Sequence, residues 1–160
     1  MEAQVERRVQ SSARAMYDLV ARVEDWPRLL PHYRFVHVLR VATERERTVE
    51  MGARRDVVTG RAWTGIPLRW TALQTLSPEQ PRVEFLHVRG PTSGMRVAWT
   101  FQDQPDGCAY VLLHHAFDPR WPIPDGLVRL IVGEYFVNGV ARRTLAHFAA
   151  LAERSRAHGP

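Results

Sequence analysis

Apolar and polar residues alternate over residues 3–10, with Val5, Arg7 and Val9 on one side and Glu6, Arg8 and Gln10 on the other, which predicts an opening strand. Ser11 and Ser12 then offer an N-cap to a helix from Ala13 to Val23, in which Met16, Leu19, Val20 and Val23 fall at helical spacing. Asp25 can cap a second short helix that begins near Trp26-Pro27, where proline is tolerated in the first turn, and Pro31 ends it. Six strands follow, at 33–41, 47–58, 62–76, 81–89, 95–102 and 108–117, separated by short polar turns such as Gly90-Pro-Thr-Ser-Gly94 and Gln104-Pro-Asp-Gly107. Phe35, His37, Leu39 and Val41 share one face of the first of these. Gly65 and Pro67 interrupt the strand at 62–76 and predict a bulge or an edge there. Consecutive strands with short links imply an antiparallel meander.

From about Asp125 to Arg156 the period changes to helical. Leu130, Val137, Val140, Ala141, Leu145, Phe148, Leu151 and Ala152 form the apolar stripe, with Arg129, Arg143, His147 and Arg154 opposite. The order is strand, two short helices, six strands and one long helix. For 160 residues, 45% of them hydrophobic, this predicts one α+β domain over 1–160 with a sizeable core.

Composition narrows the chemistry. Every one of the 22 positive charges is an arginine, so Schiff-base and lysine-dependent phosphate chemistry are excluded. Cys108 is the one cysteine, which leaves no internal disulfide and no cysteine-rich metal site. The net charge of +5 is spread along the chain in runs of at most two arginines, without a nucleic-acid motif, so no nucleic-acid partner is expected. A mildly basic surface suits an acidic partner such as a carrier protein. No apolar run reaches the roughly 20 residues of a membrane span, and Met1 to Arg8 lacks the apolar core of a signal peptide, so the expected location is the cytoplasm.

Several residues could carry chemistry. Glu134 falls on the apolar stripe, beside Gly133, where a carboxylate must be paired by an arginine, a hydroxyl or a ligand. Arg69 and Trp63 are six residues apart and share a face unless the Gly65–Pro67 break shifts the phase. Arg69 therefore either aims into an interior cavity near Trp63, Trp70 and Trp99 or faces outward. An inward arginine could hold an enolate or carbonyl oxygen. His115 shares parity with Val111, Leu113 and Phe117 and is the enclosed one of the pair His114-His115, as a satisfied core histidine or as a proton-transfer group. Tyr33 follows Pro31 at the mouth of a strand, where its hydroxyl meets either a ligand oxygen or water. His32, His37 and His87 are scattered without ligand spacing, so no metal is expected. The absence of a Gly-x-Ser-x-Gly elbow and of a glycine-rich phosphate fingerprint removes serine-hydrolase chemistry and nucleotide cofactors.

The segment Trp26-Pro27, Leu30, Tyr33, Val36, Val38-Leu39 resembles the first motif of the polyketide cyclase/dehydrase group within the START-like superfamily. His115-Ala-Phe117 with Trp121-Pro122, and Glu134-Tyr-Phe136 with Arg142-Arg-Thr-Leu145, resemble its last strand and C-terminal helix. The resemblance implies a helix-grip fold, a curved antiparallel sheet of about seven strands around a long C-terminal helix, as in pollen allergens. It also implies an internal cavity for a hydrophobic ligand. In aromatase/cyclases such a cavity promotes aldol closure and dehydration of a polyketide held on an acyl carrier protein. Coenzyme Q-binding relatives hold a quinone without changing it.

On that resemblance Arg69 would stabilise the enolate, Tyr33 or His115 would move the proton, and Trp63 would stack on the forming ring. Trp26, Trp99, Phe85, Met95, Glu134, Val137 and Ala141 would line the cavity. No cofactor is needed. The alternatives are a carrier of a lipid, quinone or isoprenoid, and a weaker reading as an interaction module with a negligible cavity. Monomer and homodimer both remain open.

Overall fold

A computed structural model describes residues 1–53, 68–118, 122, 124, 126 and 140–159. Seven strands, β1 (Glu2–Val9), β2 (Tyr33–Val41), β3 (Glu46–Ala53), β4 (Arg69–Ser77), β5 (Arg82–Arg89), β6 (Met95–Asp103) and β7 (Ala109–Phe117), form one antiparallel sheet. Its order is β1-β7-β6-β5-β4-β3-β2, so the first two strands in sequence sit at opposite edges. The chain between them forms α1 (Ala13–Ala21), a 3₁₀ turn (Val23–Asp25) and α2 (Trp26–Leu29). The last helix, α3 (Arg142–Ala157), packs against α1 and β1. The expected strand at 62–76 is seen from Arg69 onward. The Gly65–Pro67 break, and most of the predicted helix before residue 140, lie outside the described residues.

Local chemistry accounts for these elements. Ser12 caps α1, its hydroxyl accepting from the Ala15 amide at 3.1 Å. At the other end, the Ala21 carbonyl accepts from the Arg47 guanidinium at 2.8 Å and the Gln74 amide at 3.1 Å. These two bonds satisfy an orphan carbonyl of the helix end and tie α1 to β3 and β4. Gln74 is fully buried, so the clamp is also what satisfies its own amide.

One face of the sheet and the apolar sides of α1, α2 and α3 enclose a single core that runs from Val5 and Val9 to Phe148 and Ala152. On β7 the alternation is complete, with Val111, Leu113, His115 and Phe117 all inward. On β2 a bulge between Tyr33 and Phe35 shifts the phase. Tyr33 therefore points into the core, as do Val36 and Val38 further along. Phe35 and His37 share the outer face and stack on each other at 4.9 Å. Leu39 and Val41, predicted on that same face, are exposed.

Candidate active-site cavity

A cavity of about 40 Å³ lies between the inner face of the sheet and the start of α3. Aromatic side chains dominate its wall. Trp26 is pinned by its indole N–H, which donates to the Leu19 carbonyl at 3.3 Å, and its ring meets Tyr33 edge-on at 5.0 Å. It also contacts Phe85 at 5.8 Å and Phe148 at 5.6 Å. Trp99 reaches Phe148 at 6.3 Å, so this one α3 side chain holds two of the wall indoles in place. Met51, Trp70, Val97, Leu113, Val140 and Ala141 contribute as well.

Polar groups enter this apolar wall at two places. The first is where β2 meets α3. Tyr33 and Thr144 both line the cavity here, and Thr144 Oγ1 lies 2.7 Å from His32 Nε2. All three residues are buried. Burial pushes the Tyr33 phenol well above its ordinary value, against a smaller opposing effect of the Thr144 hydroxyl, so it stays protonated at any physiological pH. Burial, followed by the charges of His147 and Arg143, lowers His32 to about 4.

The second place is on β5 and β7. His87 Nδ1 is 2.7 Å from Thr92 Oγ1, in the turn between β5 and β6, and its ring stacks on Trp70 at 5.7 Å. His115 sits opposite Val97 of β6, which in turn faces Phe85 of β5. Burial lowers His115 to about 4, helped by His114, and lowers His87 to about 3, helped by His115. Both rings are therefore neutral near pH 7, and each takes a proton only where negative charge developing beside it in the cavity stabilises the imidazolium.

The structure thus brings Tyr33, His115, Trp26, Trp99, Phe85 and Ala141 to one cavity. Trp63, Glu134 and Val137 lie outside the described residues. Met95 is buried in the core but does not line the cavity; it pairs with Phe117 at one end of the sheet. Arg69 requires a correction. Its side chain is 66% exposed on the outer face, bonded to Glu50 at 2.7 Å and lying over the Phe35 ring at 5.9 Å. The next residue, Trp70, is the one that turns inward. Of the two phases left open for this strand, the outward one for Arg69 is the one adopted.

Sequence reasoning gave Trp70, His87, Thr144 and His32 no place among the site residues, yet most of their signals were readable. His87 shares strand parity with Val83 and Phe85, and Thr144 lies three residues after Ala141 and four before Phe148 on the helical stripe. The place of His32 behind Tyr33 depends on the turn after α2 and left no periodic mark. Among the described residues no group of three or more histidine, cysteine or acidic side chains could hold a metal ion, and no helix is long and apolar enough to cross a membrane.

Residues 9–143 match the family model described as polyketide cyclase / dehydrase and lipid transport. The chain is 38% identical over 109 residues to the actinorhodin polyketide synthase bifunctional cyclase/dehydratase of Streptomyces coelicolor, a match covering 67% of this chain and 32% of that protein. It is 30% identical over 142 residues to the granaticin polyketide synthase bifunctional cyclase/dehydratase of Streptomyces violaceoruber, covering 87% of this chain and 40% of that protein. The chain thus spans well under half the length of these relatives. Among solved structures, the Zhui aromatase/cyclase from Streptomyces sp. R1128 superposes with a TM-score of 0.80 at 17% identity, over 96% of this chain and 94% of that one. That likeness shows the helix-grip fold. With the family model matched over most of its length, the chain belongs to the polyketide cyclase / dehydrase and lipid transport family.

Proposed function

We propose that the protein is a cofactor-independent polyketide cyclase/dehydratase acting on a hydrophobic poly-β-ketone within the aromatic cavity. The observation that carries this reading is the pairing, in one apolar enclosure, of a neutral buried imidazole, His115, with a permanently protonated phenol, Tyr33. A methylene between two carbonyls is a weak carbon acid. His115 takes its proton, and the enolate carbon attacks a second carbonyl of the same chain. Tyr33 donates a hydrogen bond to that carbonyl oxygen as it becomes an alkoxide. The proton on His115 passes to this oxygen, and loss of a second α-proton together with the hydroxyl releases water and leaves a ring double bond.

Trp26, Phe85 and Trp99 favour the compact, folded form of the chain by offering flat apolar faces on three sides. Trp63, Glu134 and Val137 belong to this assignment by family resemblance. Arg69, on the outer face, does not. An acyl carrier protein would deliver the substrate to the basic surface, and the working location would be the cytoplasm.

Turnover of a synthetic poly-β-ketone thioester, followed by mass spectrometry, tests the proposal. A cyclised, dehydrated product that disappears in both Tyr33→Phe and His115→Gln supports it. Tight binding of a lipid or quinone recovered unchanged, with no turnover of the thioester, would overturn it in favour of a carrier.

A further inference from the structure

Thr144 is where a buried hydrogen bond meets the cavity. It lines the wall, whereas His32, whose Nε2 lies 2.7 Å from Thr144 Oγ1, is buried without reaching it. Burial keeps His32 neutral near pH 7, and a neutral ring carries one proton, on Nε2 or on Nδ1. Nδ1 is buried and has no hydrogen-bond partner among the described residues. A proton there would be a buried N–H without an acceptor, a rarer and costlier fault than an unused lone pair. The proton therefore sits on Nε2, and Thr144 Oγ1 accepts from it. Thr144 still holds its own proton. Ser155, on the same helix, donates to the Leu151 carbonyl four residues back at 3.1 Å, but Thr144 makes no such bond among the described residues. Its O–H is left to the cavity that the side chain lines.

We infer that Thr144 is a ligand-contacting residue whose hydroxyl donates into the cavity, and that His32 is the positioning residue that commits it to donating. The ligand group it takes is one that accepts, a ketone or enolate oxygen. The inference deepens the proposed function and rests on it for the substrate class, since a poly-β-ketone carries such an oxygen on every second carbon. Thr144 is then a donor in its own right, separate from Tyr33. No proton is transferred; His32 sets the orientation of a hydroxyl that stays neutral.

Long-range ¹H–¹⁵N spectra of histidine-labelled protein read the tautomer directly. The expected result is Nε2–H for His32, with Nδ1 in the range of a bare lone pair; an Nδ1–H tautomer overturns the inference. The second readout is affinity for cyclohexanone, which only accepts, against methylenecyclohexane, the same shape without the oxygen, followed through the tryptophan indole N–H resonances. Thr144→Val should weaken cyclohexanone about fivefold with methylenecyclohexane unchanged, and Thr144→Ser should restore it. Equal losses for both probes would mean a packing defect and would overturn the inference. The selective loss should persist in a Tyr33→Phe background. If it vanishes there, Thr144 acts only through Tyr33 and does not touch the ligand.

The part of His32 is read with pyrrole, whose N–H only donates. His32→Leu leaves the Thr144 oxygen able to accept, so the preference for cyclohexanone over pyrrole should narrow, and His32→Gln, which keeps a donor near the same point, should retain it. A preference unchanged in His32→Leu would overturn the positioning role. Turnover separates this inference from the cyclase reading. An Nε2–H tautomer and a selective loss of cyclohexanone, in a protein that turns over no poly-β-ketone, would sink the cyclase and leave the Thr144 donor standing. Turnover that is insensitive to Thr144→Val would do the reverse.

Discussion

Arg69 and Trp70 are neighbours in the chain with opposite fates, and the contrast shows what each face of this sheet does. Arg69 stands in solvent, held by Glu50 and lying over Phe35. Trp70 is 2% exposed, lines the cavity and stacks on His87. The outer face at β2–β4 is thus a chain of partly hydrated contacts among Phe35, His37, Glu50 and Arg69, each weak and each replaceable. The inner face is a largely aromatic wall into which a few buried polar side chains are set.

The largest expected difference between the faces is in catalysis. Removing the cavity base in His115→Gln, or the cavity donor in Tyr33→Phe, should lower turnover of a poly-β-ketone by roughly 100-fold or more. Arg69→Ala should change it less than about twofold, because the guanidinium touches nothing in the cavity. Steady-state rates for the three variants decide the matter, and a collapse in Arg69→Ala would show that the outer face is not the inert one.

Stability should divide in the same way. Trp70→Ala removes a fully buried indole and should cost about 3–5 kcal/mol in denaturant unfolding. Arg69→Ala breaks an ion pair in which only the arginine is exposed, the Glu50 side chain being 14% exposed, and should cost about 1 kcal/mol. Similar costs for both would mean that the two faces are energetically alike.

Acid should act chiefly through the buried histidines of the inner face. His115 is held at about 4 by burial, below the ordinary 6.5 of histidine. Between those two values the unfolded chain binds a proton that the folded one refuses, so stability falls as pH drops from 6.5 to 4 and is unaffected by this group above 6.5. The shift corresponds to on the order of 3 kcal/mol for His115, with His32 and His87 acting in the same sense. Unfolding midpoints measured from pH 7 to pH 4 should show this slope, and it should flatten in His115→Gln. An unchanged slope in that variant would place the acid sensitivity elsewhere.

Much of this division could be read from the sequence. The alternation of Val111, Leu113, His115 and Phe117 was enough to turn His115 inward, because β7 runs without a bulge between two neighbouring strands. The same rule was ambiguous for Arg69, where Gly65 and Pro67 interrupt the count that links it to Trp63. On β2 the bulge after Tyr33 places Tyr33 and Phe35 on opposite faces although they are two residues apart. A period-two reading cannot anticipate a one-residue slip. The His32–Thr144 contact was harder still, since it joins residues 112 positions apart through the docking of α3. Periodicity places a residue on a face; it does not say which face of another element will meet it.

Two glycines sharpen the comparison at its smallest scale. A Cβ on Gly52 would fall 2.4 Å from the Phe35 ring on the outer face. The ring is half-exposed and can swing toward water, losing its stack on His37 and its place under Arg69. Gly52→Ala should therefore cost about 1 kcal/mol. A Cβ on Gly90 would meet the Arg69 carbonyl at 2.6 Å and the Trp70 Cα at 3.0 Å, backbone that cannot rotate away, and Gly90 has φ of +101°. Gly90→Ala should cost about 2 kcal/mol or more, from strain and clash together. It should also disturb the cavity, because relief of that clash has to move Trp70 and the turn carrying Thr92, the partner of His87. Trp70 fluorescence should shift in Gly90→Ala and hold steady in Gly52→Ala. Equal shifts would mean that the outer face is coupled to the cavity through β4 itself, and that Arg69 influences the cavity without touching it.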